Sequence, residues 1–139
     1  MKNACTFASI LFFVLFATTA VNAQKTATWK GGTPGKAQEW NCPTNWKEGR
    51  VPDAFSDVLI PDVAGIGGYQ PVIRTASNEV NTLSIMPGAR LRIESTGTLE
   101  VFDAVQTVAN GNIDNHGLLN APMGNISHLG REPYVASNK

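Results

Sequence analysis

The two histidines of the chain lie in similar segments, GNIDNHG (111–117) and GNISHLG (124–130). Imidazole nitrogens are common metal ligands, so His116 and His128 are the first candidates for a metal site. His116 is the sixth residue of its segment and His128 the fifth, so stacked extended segments would point them to opposite faces. No HExxH motif or pair of cysteines accompanies them. The sequence therefore predicts no metal site.

A nucleophile would need a base beside it, and the sequence offers no such arrangement. Of the two cysteines, Cys5 lies in an apolar leader, and Cys42 stands beside Pro43 with no histidine nearby in the sequence. A lone cysteine of this kind is typical of a small buried residue. No GxSxG motif occurs. We therefore predict a protein that is not an enzyme, with no catalytic residues and no cofactor.

Three aspartates, Asp53, Asp57 and Asp62, lie close together in the sequence near turns. Calcium prefers such oxygen ligands, but neither the EF-hand order nor a glycine/aspartate nonapeptide is present. Calcium stays a minor alternative. We expect Asp57 instead to accept a hydrogen bond from the backbone or from a tryptophan N–H at the start of its strand.

The three tryptophans, Trp29, Trp40 and Trp46, lie within eighteen residues amid glycine, proline and polar residues. Large rings supply apolar surface to a loop-rich segment, and each indole N–H needs an acceptor. We therefore expect the rings to form the core of a cap. The alternative is a carbohydrate-binding module, in which exposed Trp40 and Trp46 stack on an extracellular glycan or surface polymer.

The first 23 residues predict a secretory signal peptide. Lys2 precedes the apolar run 10–16, and small residues precede a cleavage site after Ala23. The run is too short to predict a membrane span. Lys2 is one of the eleven basic residues, so ten remain beyond Ala23 beside eleven acidic ones. This balance argues against a nucleic acid partner. We expect the protein to be secreted or to lie on the outer cell surface.

Beyond the tryptophans, apolar residues follow a period of two, as in half-buried strands. Three pairs share one face: Leu83 with Ile85, Leu91 with Ile93, and Leu99 with Val101. Pro87-Gly88 and Thr96-Gly97 are turn signals, with glycine expected to supply a positive φ. The abundant asparagines between 110 and 125 suit corners in the same way. Only the segment 98–110 also fits helical spacing, so a short helix is an alternative there.

These patterns predict an all-β fold: a short right-handed β-solenoid with a Trp-rich loop cap at its N-terminal end. A small β-sandwich is the alternative. The predicted parts are the signal peptide (1–23), the cap segment (24–61), the solenoid repeats (62–130) and a polar tail (131–139). A last rung near Ile126 would expose an unpaired edge, so self-association through this open C-terminal rung is expected.

Several motifs also carry a family resemblance: EWNCPTNW (39–46), Val51-Pro52, SDVLIP (56–61) and VNTLSI (80–85). Over residues 28–101 the chain resembles the N-terminal module of secreted and cell-surface, adhesin-like β-helix proteins of Gram-negative bacteria, many exported by the type IX route. The resemblance implies a structural or adhesive role without catalytic residues. It also implies that the chain could be a fragment of a larger surface protein.

Overall fold

The computed structural model describes residues 24–122 and the backbone of residues 126–129. Strands and loops make up these residues, with two single-turn 3₁₀ helices at Pro43–Asn45 and Ala64–Ile66, and this confirms the all-β prediction. The predicted signal peptide (1–23) and polar tail (131–139) lie outside the described residues. The strands are β1 (Lys25–Thr28), β2 (Ser56–Ile60), β3 (Val72–Ile73), β4 (Asn78–Ile85), β5 (Arg90–Ile93), β6 (Thr98–Val108), β7 (Asn112–Asn115), β8 (Leu118–Asn120) and β9 (Ile126–Leu129).

The strands form two sheets in which every ladder between named strands is parallel. The main sheet has the order β1-β2-β4-β6-β8, and β9 also pairs with β6. The second sheet has the order β3-β5-β7. From β2 to β8, successive strands alternate between the two sheets, so each return to a sheet adds the next strand beside the previous one.

The distance along the chain between paired residues gives the length of one repeat. It is 20 to 22 residues in the later part, as in Thr98 with Leu118 and Arg90 with Asn112. The thirteen-residue echo of the two histidine segments is not this repeat. Ile113 pairs with Leu91 in the second sheet, whereas Ile126 pairs with Val105 in the main sheet. The two segments therefore form β7 and β9, which belong to different sheets, and they do not stack on each other.

Side chains that alternate inward along the strands form one hydrophobic core. The six apolar residues that the period of two placed on one face are all buried, as predicted: Leu83, Ile85, Leu91, Ile93, Leu99 and Val101. Between them, Arg92 and Glu100 are exposed. Burial of a side chain of this size contributes roughly 1.5–3 kcal/mol. Strand residues of both sheets supply most of the core.

The helical alternative for residues 98–110 is wrong, because residues 98–108 form β6. Opposite Asn81 of β4, strand β6 has two residues, Phe102 and Asp103, and the register shifts there by one. Such a β-bulge bends a strand and changes which residues point inward. The inserted residue explains why the valine spacing of this segment departs from a period of two.

The glycines at the two turn signals have different roles. Gly88 has a φ of 77°, as expected. Gly97 does not adopt a positive φ; a Cβ there would lie 2.5 Å from the carbonyl oxygen of Ile73. A Cβ on Gly117 would lie 2.3 Å from the carbonyl oxygen of Gly97 itself. Gly97 and Gly117 therefore permit a close approach of neighbouring chain segments, rather than an unusual φ.

Candidate functional site

The tryptophans form one cluster at the β1 end of the main sheet. Trp29 and Trp46 are fully buried and Trp40 is 1% exposed. The Trp46 ring makes edge contacts with both others, with centroid distances of 5.1 Å to Trp29 and 4.8 Å to Trp40. Edge-to-face pairs contribute about 0.5–1.5 kcal/mol each beyond the area they bury. The three rings extend the core of the two sheets into a region without regular structure.

Hydrogen bonds fix two of these rings. The Trp29 indole donates to the carbonyl oxygen of Tyr69 (2.7 Å), and the Trp46 indole donates to that of Trp40 (2.8 Å). The carbohydrate-binding alternative required Trp40 and Trp46 to present exposed faces. Because the structure buries both rings, neither offers a surface on which a sugar could stack.

Asn45 organises the loop around the cluster. It is fully buried at the end of the first 3₁₀ helix. Its side-chain oxygen accepts from the Thr33 amide, and its side-chain nitrogen donates to the carbonyl oxygens of Lys36 and Glu39. One side chain thus replaces the backbone pairing that the loop lacks. The sequence showed the Asn45-Trp46 pair only as part of a motif, since nothing in the spacing reveals long-range bonds of this kind.

The outer edge of β1 is occupied by residues 46–48. The amide of Lys47 donates to the carbonyl oxygen of Thr28 (2.9 Å), and the amide of Thr28 donates to the Glu48 carboxylate (2.8 Å). Trp29 and Trp46 form an isolated antiparallel bridge beside them. Partial burial raises the pKa of Glu48, but hydrogen bonds, first of all that from the Thr28 amide, outweigh it and hold the pKa below its usual value. Sequence reasoning missed Glu48.

The three aspartates considered for calcium have separate partners. Asp57 accepts from the side chains of Asn81 and Thr82, so the expected backbone or tryptophan donor was wrong. Asp62 accepts from the Ala64 amide. Within residues 24–122, no group of three or more His, Cys, Asp or Glu side chains is placed to hold a metal ion.

Asp53 fastens the loop before β2 to the first strand. It accepts from Lys25 (2.8 Å) and from the Ser56 hydroxyl and the Phe55 amide. The bond from Lys25, followed by those from Ser56 and Phe55, lowers the pKa of the Asp53 carboxyl despite a smaller opposing effect of desolvation. Asp53 therefore stabilises the β1 end of the molecule, where Glu48 also lies.

The described candidates for nucleophile and base lie in different parts of the topology, Cys42 in the loop before β2 and His116 after β7. Cys42 is buried, as predicted, beside the Thr44 hydroxyl, and the bond from Thr44 lowers the pKa of its thiol. His116 lies on the surface after β7 and pairs with Asp114 at 2.8 Å. The side chain of His128 lies outside the described residues. The backbone of His128 pairs with Thr107 in the main sheet, whereas His116 follows a strand of the second sheet.

In the described part of the chain, no helix has the length and apolar character needed to cross a lipid bilayer. Neither a curated protein nor a solved structure matches the sequence. The model of one family, a domain of unknown function designated DUF8693, matches residues 28–121, from the end of β1 to just beyond β8. This match covers more than half of the chain, and the protein belongs to the DUF8693 family.

Proposed function

We propose that this protein is a secreted or cell-surface structural or adhesive module without catalytic activity. Its scaffold is a short right-handed β-solenoid, and the tryptophan cluster caps the N-terminal end. The carrying observation is the alternation of successive strands between two parallel sheets, with a repeat of 20 to 22 residues. A coil that adds one strand to each sheet per turn has this order, whereas small β-sandwiches are typically antiparallel.

Right-handed winding is supported by the general rule for connections between parallel strands of one sheet. The close approach of Gly117 to the carbonyl oxygen of Gly97 supports direct stacking of successive turns. A coil of this kind presents broad surfaces of short parallel strands, which suits a spacer or an adhesive surface better than an enclosed reaction site.

The polar side chains support a structural role because they serve the fold. Asn45 and Asp57 each bond to groups distant in the sequence. On the second sheet, Arg92 pairs with Glu94 and Asp114, and Asp114 also pairs with His116. These contacts lie at the surface, where such pairs contribute little stability but keep a sheet face polar.

The later end of the coil supports self-association. Among residues 24–122 and 126–129, no strand pairs with the outer edge of β7, β8 or β9, and β9 contains Ile126. Unpaired strand edges are templates for another strand. We propose that two copies, or a copy and another coil of the same kind, meet through this open C-terminal rung.

Sedimentation of the purified chain over a range of concentrations tests the open rung. We expect a reversible monomer–dimer equilibrium, and a strictly monomeric protein at high concentration would contradict the open rung. Export is tested separately by measuring the mass of the protein released by its host cells. Cleavage after Ala23 predicts a mature chain that begins at Gln24.

Adding polysaccharides while recording tryptophan fluorescence tests how the module could adhere. Because all three indoles are buried, we expect neither quenching nor a spectral shift, even from a polymer that the protein retains in a pull-down. Quenching with a blue shift would contradict a purely structural role for the tryptophans.

A further inference from the structure

The first strand of the main sheet pairs with a named strand on one side only, and its backbone N–H and C=O groups point alternately to the two sides. The amides of Lys25 and Trp29 donate to the carbonyl oxygens of Phe55 and Leu59 and so face β2. The backbone groups of Thr28 therefore point the other way, along the outer edge. This edge is where a strand of another molecule would add to the sheet.

The segment after the tryptophan cluster approaches this edge but does not continue along it as a strand. The Gly49 amide donates to the carbonyl oxygen of Trp46, and Gly49 has a φ of 69°, so the chain turns away after one bridge. Lys47 supplies the donor for the carbonyl of Thr28. The Glu48 carboxylate supplies the acceptor for the Thr28 amide, in place of the carbonyl of an added strand.

We propose that Glu48 is an edge-blocking residue, which occupies the strand-addition site of β1 and prevents a strand of a second copy from joining the main sheet there. A carboxylate accepts hydrogen bonds but offers no donor to continue a ladder. Its negative charge, exposed at the edge, also opposes an approaching strand. Glu48 thus ends the sheet without requiring a further strand.

This blocking determines what kind of assembly the chain can form. A coil with one blocked end and one open end can join only a single partner by its open end, and the assembly closes as a pair. A coil with two open ends can join head to tail without limit and forms filaments. The inference goes beyond the proposed function, although the open rung supplies the second contact of such a filament.

The test compares Glu48→Ala with Glu48→Gln by sedimentation and electron microscopy. Glu48→Ala removes the acceptor, and we expect association to begin at a roughly tenfold lower concentration, with oligomers larger than dimers. Glu48→Gln keeps a carbonyl oxygen for the Thr28 amide but loses the negative charge and adds an N–H donor, so its association should lie between those of the natural chain and Glu48→Ala. Glu79→Ala is a matched control, because Glu79 is an exposed glutamate on β4, away from the β1 edge.

A folded Glu48→Ala variant with the same association as the natural chain overturns the proposal. If the natural chain is monomeric at every concentration, self-association through the open C-terminal rung is ruled out. Glu48→Ala must even then dimerise through the edge of β1. If Glu48→Ala does not fold, hydrogen exchange of the backbone amides in the natural chain tests whether Glu48 holds the Thr28 amide. The Thr28 amide must then exchange as slowly as the Trp29 amide, and exchange as fast as in an exposed turn rules out the blocking contact.

Discussion

The β1 end of the molecule and the later rungs of the proposed coil, from β4 to β8, are built in different ways. The later rungs use parallel strands, inward apolar side chains and glycines at a close corner, and paired residues recur every 20 to 22 positions. The β1 end uses three buried indoles and side chains that bond to backbone distant in the sequence. Continuing a coil needs only a repeated pattern, whereas ending one requires individual residues to satisfy groups that the next turn would have satisfied.

This difference predicts unequal sensitivity to substitution. At the β1 end, a single side chain often satisfies several partners at once, so its loss should be costly. In the later rungs, the cost should depend on whether a residue points inward or lies at the stacked corner. The following experiments test this contrast from the largest expected effect to the smallest.

Trp46→Ala should have the largest effect. Trp46 is fully buried, contacts both other indoles and donates to the carbonyl oxygen of Trp40. Truncation of a buried tryptophan lowers the free energy of unfolding by about 3–5 kcal/mol, and a small domain could lose its fold entirely. Urea unfolding followed by circular dichroism measures the loss. Phe102→Ala, at a side chain that is 47% exposed, should change stability by less than about 0.5 kcal/mol.

Asn45→Ala tests whether the loop depends on one amide. The substitution leaves the Thr33 amide and the carbonyl oxygens of Lys36 and Glu39 without their partner. An unsatisfied buried polar group costs about 1–3 kcal/mol, so we expect a loss of about 3 kcal/mol. Asn112→Ala, at an exposed position in β7, is the matched control and should be nearly neutral. Equal losses for the two variants would remove the distinction between the two ends.

The sequence predicted the later rungs better than the β1 end, for a physical reason. Inward positions such as Leu83 and Leu91 repeat with a period of two, because a pleated strand alternates its side chains between faces. The partners of Asn45 and Glu48 follow no period, because loop contacts depend on where the chain returns in space. The bulge opposite Asn81 is an intermediate case, because one inserted residue interrupts the period of two within a strand. The resulting spacing of apolar residues also fitted a helix.

The same contrast explains why the glycine corner was only partly predicted. A glycine in a turn signal indicates a corner, but the sequence does not distinguish a positive φ from a close approach of two turns. Gly88 has the first property and Gly97 the second. The thirteen-residue echo has a related explanation. Similar strands in different sheets resemble a repeat unless the strand order is known.

Gly117→Ala tests the stacked corner of the later rungs. A Cβ there would lie 2.3 Å from the carbonyl oxygens of Glu94 and Gly97, and both are backbone atoms with little freedom to move. Overpacking of this kind costs about 1–3 kcal/mol. The control is Gly65→Ala, where a Cβ meets no atom within 4 Å and φ lies outside the left-handed region. Thermal unfolding should show a clear loss only for Gly117→Ala, and a neutral result there would mean that successive turns do not stack closely.

Acidification should weaken the β1 end before the later rungs, with the smallest effect of the series. The folded pKa values of Glu48 and Asp53 are both lowered, so each carboxylate stabilises the fold at pH values above its unfolded pKa, about 4. That contribution is lost as the pH falls through the folded pKa, because protonation weakens the contacts with the Thr28 amide and with Lys25. Below pH 4, amide exchange at Thr28 should therefore accelerate more than exchange at Leu91 in β5, after correction for the intrinsic effect of pH. Glu48→Gln should reduce this difference, because its uncharged side chain has the same hydrogen-bonding capacity at pH 3 as at pH 7.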